Sequence, residues 1–221
     1  MRTLLVMVTI AVMTLILGPV VVVARLLGVP QGPRSIYARV LRLWARSLTA
    51  AAGVRVRTHN AERLQGEHGA VVVANHVSWF DIFALAVEVP WCSFIAKDEL
   101  RRLPLFGWAA QSAGIVFLDR DNRKQAFEQY RVAAQEVQRG RRIIVCPEGT
   151  RGHDYHLRPF KKGPFVLAIA SQAPIIPTIV YGAREVMPKG SFRVRPGVVD
   201  LHFLEPVPTV GYDYEHRREL M

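Results

Sequence analysis

Two side chains five residues apart, His76 and Asp81 in the run VVVANHVSWFD at 71–81, are the first candidates for chemistry. An imidazole titrates near neutral pH, so it suits the removal of a proton from a reacting group. On one continuous helix, a five-residue step rotates by ~140° and would separate the pair. With His76 in the turn before a helix and Asp81 in its first turn, the carboxylate can swing to the imidazole. It would then fix the tautomer and stabilise an imidazolium, leaving the other ring nitrogen as the base. A structural reading stands beside this one. Ser78-x-x-Asp81 has the spacing of a capping box, and the helix dipole favours an aspartate in a first turn. The pair by itself leaves both readings open.

A second cluster is CPEGTR at 146–151, where Pro147 and Gly149 bracket Glu148 and force a tight turn. Gly149 offers backbone N–H groups, Thr150 a hydroxyl and Arg151 a bidentate guanidinium, the components of a phosphate cradle. Glu148 suits a phosphate poorly and is expected to orient Arg151 or a substrate hydroxyl. A surface turn with an ion pair is the plainer account. GIVFLDR at 114–120 carries a second guanidinium, Arg120, for which an Asp119–Arg120 pair at a helix start is the alternative. There is no G-x-S-x-G elbow, P-loop or dinucleotide fingerprint, and neither Cys92 nor Cys146 adjoins a base in the sequence. His153 and His156 in GHDYH lack a third ligand, so no metal site is expected.

The elements that must position these residues alternate short β-branched runs with helical patterns. Strands are expected at 54–58, 70–74, 93–96, 115–118, 143–146, 175–180 and 198–204. Helices are expected at 79–87, 121–139 and about 162–171, the second with an apolar face and Gly140 as its stop. Such alternation implies an α/β fold with a mixed, largely parallel sheet flanked by helices. Ligands bind such sheets at the carboxyl ends of strands. Asn75-His76, Asp119-Arg120 and Glu148–Arg151 each come directly after an apolar run, which points to one convergent site.

The N-terminus is of another character. Residues 3–24 carry no charge, a stretch long enough to span a hydrocarbon core, with Gly18-Pro19 expected to kink it or turn it back. Arg25, Arg34, Arg39, Arg42 and Arg46 lie after it, so the positive-inside rule puts the rest of the chain in the cytoplasm, at the cell's inner membrane. The segment SIYARVLRLWARSLTAAAG is a basic amphipathic helix with Ser35 as cap and Gly53 as stop, suited to an anionic bilayer or to packing with a solvated arginine face. The chain is therefore expected to divide into membrane-anchoring helices at 1–53 and an α/β domain at 54–221. Over 221 residues the net charge is +11 with a pI near 10.3, and half the residues are hydrophobic. That charge calls for an anionic partner. Nucleic acid is not expected, because the arginines gather near the apolar segment and strand ends instead of interleaving with aromatics.

Taken in order, these blocks resemble the glycerolipid acyltransferases, the 1-acylglycerol-3-phosphate (lysophosphatidic acid) acyltransferase family. NHVSWFD is similar to that family's N-H-x4-D block, GIVFLDR to its second, PEGTR to its third and APIIPTIV to its fourth. FIAKDEL, LPLFGW and FKKGPF match the connecting text, and the likeness runs over 71–180. Cys146 stands where an aromatic is common and Leu118 where isoleucine is frequent; neither position bears a role. The resemblance implies His76 as general base and Asp81 as its partner. It implies acceptor-phosphate binding by Arg120 and by Glu148, Gly149, Thr150 and Arg151. Lys97, or backbone N–H groups, would stabilise the oxyanion, or Lys97 would meet phosphate. The implied reaction moves a fatty acyl group from acyl-CoA or acidic acyl carrier protein to the free hydroxyl of a membrane lysophospholipid, first of all 1-acylglycerol-3-phosphate. The thioester is a co-substrate, and no cofactor or metal is implied. Alternatives are a family member acting on a lyso-amino lipid or another lysophospholipid, or a non-catalytic basic module that binds membrane lipid. The intact His76–Asp81 pair speaks against the last. The apolar segment and basic helix resemble the family's two-helix membrane anchor.

Overall fold

A computed structural model describes residues 1–66, 69–119 and 122–221, and of Arg123 the backbone alone. Among them are strands β1 (Val54–His59), β2 (Ala70–Ala74), β3 (Cys92–Lys97), β4 (Val116–Leu118), β5 (Arg142–Val145), β6 (Ile175–Tyr181) and β7 (Gly197–Phe203). They form one sheet in the order β1-β7-β6-β2-β5-β3-β4. From β6 through β4 every pair is parallel, while β7 runs antiparallel to β6 and carries β1 parallel to itself. The mixed, largely parallel sheet is as expected, and each strand lies within two residues of its expected place.

The helices are α1 (Arg2–Leu26), α2 (Ile36–Ala52), α3 (Trp79–Glu88), α4 (Phe106–Ser112), α5 (Arg123–Gln138), α6 (Gly163–Ser171) and the single turn α7 (Ala183–Val186). The two central strands, β2 and β5, are buried at every position, which demands cover on both faces. Their period of two sorts the side chains. Val72, Ala74 and Ile144 face Phe83 and Leu85 of α3 and Leu48 of α2, whereas Val71, Val73, Ile143 and Val145 face Ala133 and Val137 of α5 and Phe165 of α6. Full burial of each such aliphatic side chain stabilises the fold by ~1.5–3 kcal/mol.

The N-terminal helices depart from expectation in two respects. α1 continues through Gly18-Pro19 without a break. Gly18 serves instead as a notch, since a Cβ there would lie 3.3 Å from Leu105 Cγ and 3.4 Å from Ala109 Cβ near and on α4. In α2, Arg39, Arg42 and Arg46 are exposed, while Ala45, Leu48 and Ala52 are wholly buried in the sheet's own core. The division expected at residue 53 therefore cuts through a shared core, and the apolar face of α2 is consumed by protein. Gly53 ends α2 at φ 64°, the left-handed stop expected, but the Ser35 hydroxyl donates to Gly32 O and caps nothing. Only α1, among the described residues, is long and apolar enough to cross a membrane.

Candidate active site

The His76 backbone is gripped from two sides before its ring does anything. Its N–H donates to Glu148 Oε1 at 3.0 Å, and its carbonyl accepts from Gly152 N–H at 2.7 Å. Both partners come from the turn after β5, so the second sequence cluster holds the first in place. Asn75, the preceding residue, prolongs the ladder beyond β2 with its side chain. Its amide donates to Val180 O at 3.0 Å and accepts from Val180 N–H at 2.7 Å, the bonds a further strand residue would make. This is why the apolar strand ends on an asparagine.

Asp81 meets both the His76 ring and the start of α3. Oδ2 accepts from His76 Nδ1 at 2.8 Å, from Val77 N–H at 2.7 Å and from Ser78 N–H at 2.8 Å. Ser78 is the N-cap of α3, and its hydroxyl accepts from Phe80 N–H, completing a capping box. The Ser78 hydroxyl also donates to Met187 O at 2.7 Å, which pins the start of α3 to a distant loop. A carboxylate only accepts, so Nδ1 carries the proton and the ring's lone pair is on Nε2. Asp81 is fully buried, and its Oδ1 has no hydrogen-bond partner among the described residues.

The third block is held together by bonds that its sequence does not show. Glu148 is buried, and its oxygens accept from the backbone N–H groups of His76 and, at 3.3 Å, Arg158. It staples three segments together through these two backbone bonds. Gly149 has φ 75°, which favours glycine, and its N–H donates to Cys146 O at 3.1 Å and closes the turn. Arg151 lays its guanidinium over the Trp79 ring, 5.1 Å from the centroid. Partial burial lowers its pKa, and the charge of Asp81 opposes that fall. Thr150 and Lys97 are exposed, and Arg120 lies outside the described residues.

His76, Lys97, Glu148, Gly149, Thr150 and Arg151 all line one cavity of about 1730 Å³. From His76 it runs along apolar side chains of α1, α2, α3 and α4, among them Ile10, Leu17, Trp44 and Phe83. On the opposite face of the sheet it reaches Tyr130 of α5 and Gly163 of α6. Arg158 and Lys161 also line it; they were not among the expected site residues, although FKKGPF marked their neighbourhood. Elsewhere His59, Asp200 and His202 offer ligand atoms of a kind that binds metals, but they lie outside the cavity and Arg57 already engages both Asp200 oxygens.

A family model described as Acyltransferase matches residues 55–181, a span that holds His76, Asp81, Lys97, Glu148, Gly149, Thr150 and Arg151. The chain belongs to the acyltransferase family. Among its relatives in that family, human 1-acyl-sn-glycerol-3-phosphate acyltransferase alpha is 34% identical over 175 residues, 78% of this chain. This chain spans 62% of that human protein's length. An acyltransferase of Schizosaccharomyces pombe, named as uncharacterized, is 34% identical over 206 residues, 90% of this chain and 72% of its own length. The crystal structure of the 1-acyl-sn-glycerophosphate (LPA) acyltransferase PlsC from Thermotoga maritima matches with a TM-score of 0.82 at 27% identity, covering 99% of this chain and 90% of that one. The acyltransferase likeness thus extends over α1 and α2 as well as the sheet.

Proposed function

We propose that this acyltransferase moves a fatty acyl group from a thioester, acyl-CoA or acyl carrier protein, to the free hydroxyl of 1-acylglycerol-3-phosphate. The observation that carries the reading is the His76–Asp81 pair opening on a cavity that is apolar on one side and cationic on the other. Its volume exceeds the ~300–1,000 Å³ of ordinary small-ligand pockets and suits substrates with long chains. The acyl chain lies along α1–α4, and the acceptor's phosphate meets Arg151, whose guanidinium has no carboxylate partner among the described residues. The relatives named for this activity support the choice of acceptor.

In the reaction the acceptor's hydroxyl oxygen attacks the thioester carbonyl while His76 Nε2 takes its proton. Asp81 stabilises the resulting imidazolium through Nδ1. Collapse of the tetrahedral intermediate breaks the C–S bond, and the departing thiolate recovers the proton. A thioester is already activated, so no acyl-enzyme is required. A position at the carboxyl end of β3 supports a role for Lys97 in stabilising the oxyanion. Attachment to the cytoplasmic face of the inner membrane through α1 brings the site to an acceptor held in the bilayer. The arginines after α1 support that orientation.

The test is His76→Ala, assayed with labelled palmitoyl-CoA and a panel of lysolipids. Loss of the base should lower kcat by roughly 10²–10⁴-fold, with acceptor binding retained. Wild-type turnover in the variant would remove the mechanism. Transfer to another lysolipid in preference to 1-acylglycerol-3-phosphate would replace the acceptor and keep the chemistry.

A further inference from the structure

The cavity holds more cationic groups than one phosphate needs. Lys97, Arg151, Arg158 and Lys161 all line it, and none has a carboxylate in ion-pair range among the described residues. The lining also carries two carboxylates, Glu99 and Glu148, so these four cations exceed the acids by two, and the excess leaves charge for a second anion. Position separates the four. Arg151 is one residue from Gly152, which bonds His76 O, and stacks on Trp79 at the start of α3. The acceptor's phosphate is a short glycerol backbone from its reacting hydroxyl, so it must sit beside His76, where Arg151 is. Arg158 and Lys161 lie between β5 and α6, and α6 covers the sheet face opposite α3. Lys161 is exposed and Arg158 partly so. Their backbones are nevertheless fixed: Arg158 N–H donates to Glu148 Oε2, and Lys161 N–H to Pro147 O at 2.7 Å. The Arg158 backbone is thus one carboxylate away from that of His76, and it is the side chains, reaching outward on the α6 side, that suit a phosphate carried on a long arm.

We propose that Arg158 and Lys161 form a separate subsite for the acyl donor's phosphate, the group next to the pantetheine arm in both coenzyme A and acyl carrier protein. The subsite rests on the acyl-transfer reading and adds a donor contact to it. With the thioester carbonyl at His76, the arm leaves the cavity across the mouth on the α5–α6 side. The phosphate meets the Arg158 guanidinium and the Lys161 ammonium there, away from the acceptor's own phosphate at Arg151.

The experiment removes the phosphate from the substrate and the cations from the protein in turn. The full chain in mixed micelles is assayed with palmitoyl-CoA, palmitoyl carrier protein and palmitoyl-pantetheine, the last lacking phosphate. The wild type is compared with Arg158→Gln, Lys161→Gln and the double variant. Both side chains are at least partly exposed and the backbone bonds survive, so the melting temperature serves as a control on folding. In the wild type, kcat/KM should favour palmitoyl-CoA over palmitoyl-pantetheine by roughly 10- to 100-fold, as charge-assisted contacts imply. In the double variant that ratio should collapse towards about 1, while the acceptor's KM holds, because the cations act on the missing group. Equal sensitivity of both natural donors assigns the phosphate they share; sensitivity of palmitoyl-CoA alone assigns its nucleotide phosphates. An unchanged ratio in the double variant, or a rise in the acceptor's KM instead, overturns the subsite while leaving acyl transfer intact. Absence of turnover with all three thioesters in the wild type overturns the acyl-transfer reading, and the subsite with it.

Discussion

At the scale of single residues, the proposed reaction separates side chains that would do chemistry from those that hold them. His76 and Asp81 share one hydrogen bond, and Asp81 spends two more on the backbone before α3. Glu148 is the clearest holding residue. A carboxylate beside a phosphate would repel it, whereas one accepting two backbone N–H groups fixes the position of His76. Glu148→Gln replaces one acceptor oxygen by an N–H₂ that faces an N–H donor. The expected loss is about 1–3 kcal/mol of stability, with kcat falling as His76 shifts. The acceptor's KM should stay near its wild-type value. Thermal melts beside steady-state kinetics check this, and a large rise in the acceptor's KM alone would return Glu148 to the phosphate site.

At the scale of elements, the antiparallel edge of the sheet is joined by charge. Arg57 of β1 donates through Nε and Nη2 to the two oxygens of Asp200 on β7, each at 2.9 Å, and His59 Nε2 lies 2.9 Å from Asp200 Oδ1. The register explains the meeting, since Arg57 pairs with Asp200 and His59 with His202 on one face. The hydrogen bond from Arg57, then that with His59, pulls the Asp200 carboxyl from 3.8 down to about 2. A depressed folded-state pKa contributes stability that is present above the unfolded value and is lost as pH falls through the folded one. The β1–β7 contribution should therefore be intact above pH 3.8 and gone near pH 2. Asp200→Asn should melt a few degrees below the wild type at neutral pH. Across that acid window the gap should narrow, as read by melting temperature against pH. A constant gap would mean that the pair's geometry matters and its charge does not.

At the scale of the whole molecule, α1 and α2 are joined to the sheet to different degrees. α1 leaves a stripe of apolar side chains exposed, Leu4, Val8, Leu15, Ile16 and Val23 among them, as a helix meeting lipid would. The link after it is tied down by Gln31, whose amide donates to Ser112 O at 3.0 Å and accepts from the buried Arg141. Deleting residues 1–28 keeps that link and should leave a folded protein. It should lose most vesicle binding and much activity, because one wall of the cavity goes with α1. Deleting 1–53 also removes Ala45, Leu48 and Ala52 from the core. Several core side chains at ~1.5–3 kcal/mol for the larger ones approach the ~5–15 kcal/mol that holds a domain together. That truncation should not fold. Circular dichroism and vesicle sedimentation of the two truncations decide it, and a folded 54–221 fragment would restore the boundary at residue 53.

Much of this architecture was legible in the sequence. The runs at 70–74 and 143–146 are continuous and β-branched, so burial on both faces and their strand state come from composition over a few residues. The spacing of His76 and Asp81 left a capping box and an imidazole partner both open, and in the structure one carboxylate meets the ring and the helix start together. α4 was not legible, since seven residues containing a glycine carry too short a period to register. Charge at the site misled where partners were remote in sequence. Nothing near Glu148 shows that the backbone of residue 76 needs an acceptor, and nothing near Arg141 shows that it is buried against Gln31 and Ala113. Local pattern determines which segments become strands and helices, because propensity and periodicity act over a few residues. Which polar atoms are spent on the fold and which are left for a substrate is decided by contacts between distant segments, and only the tertiary structure contains those.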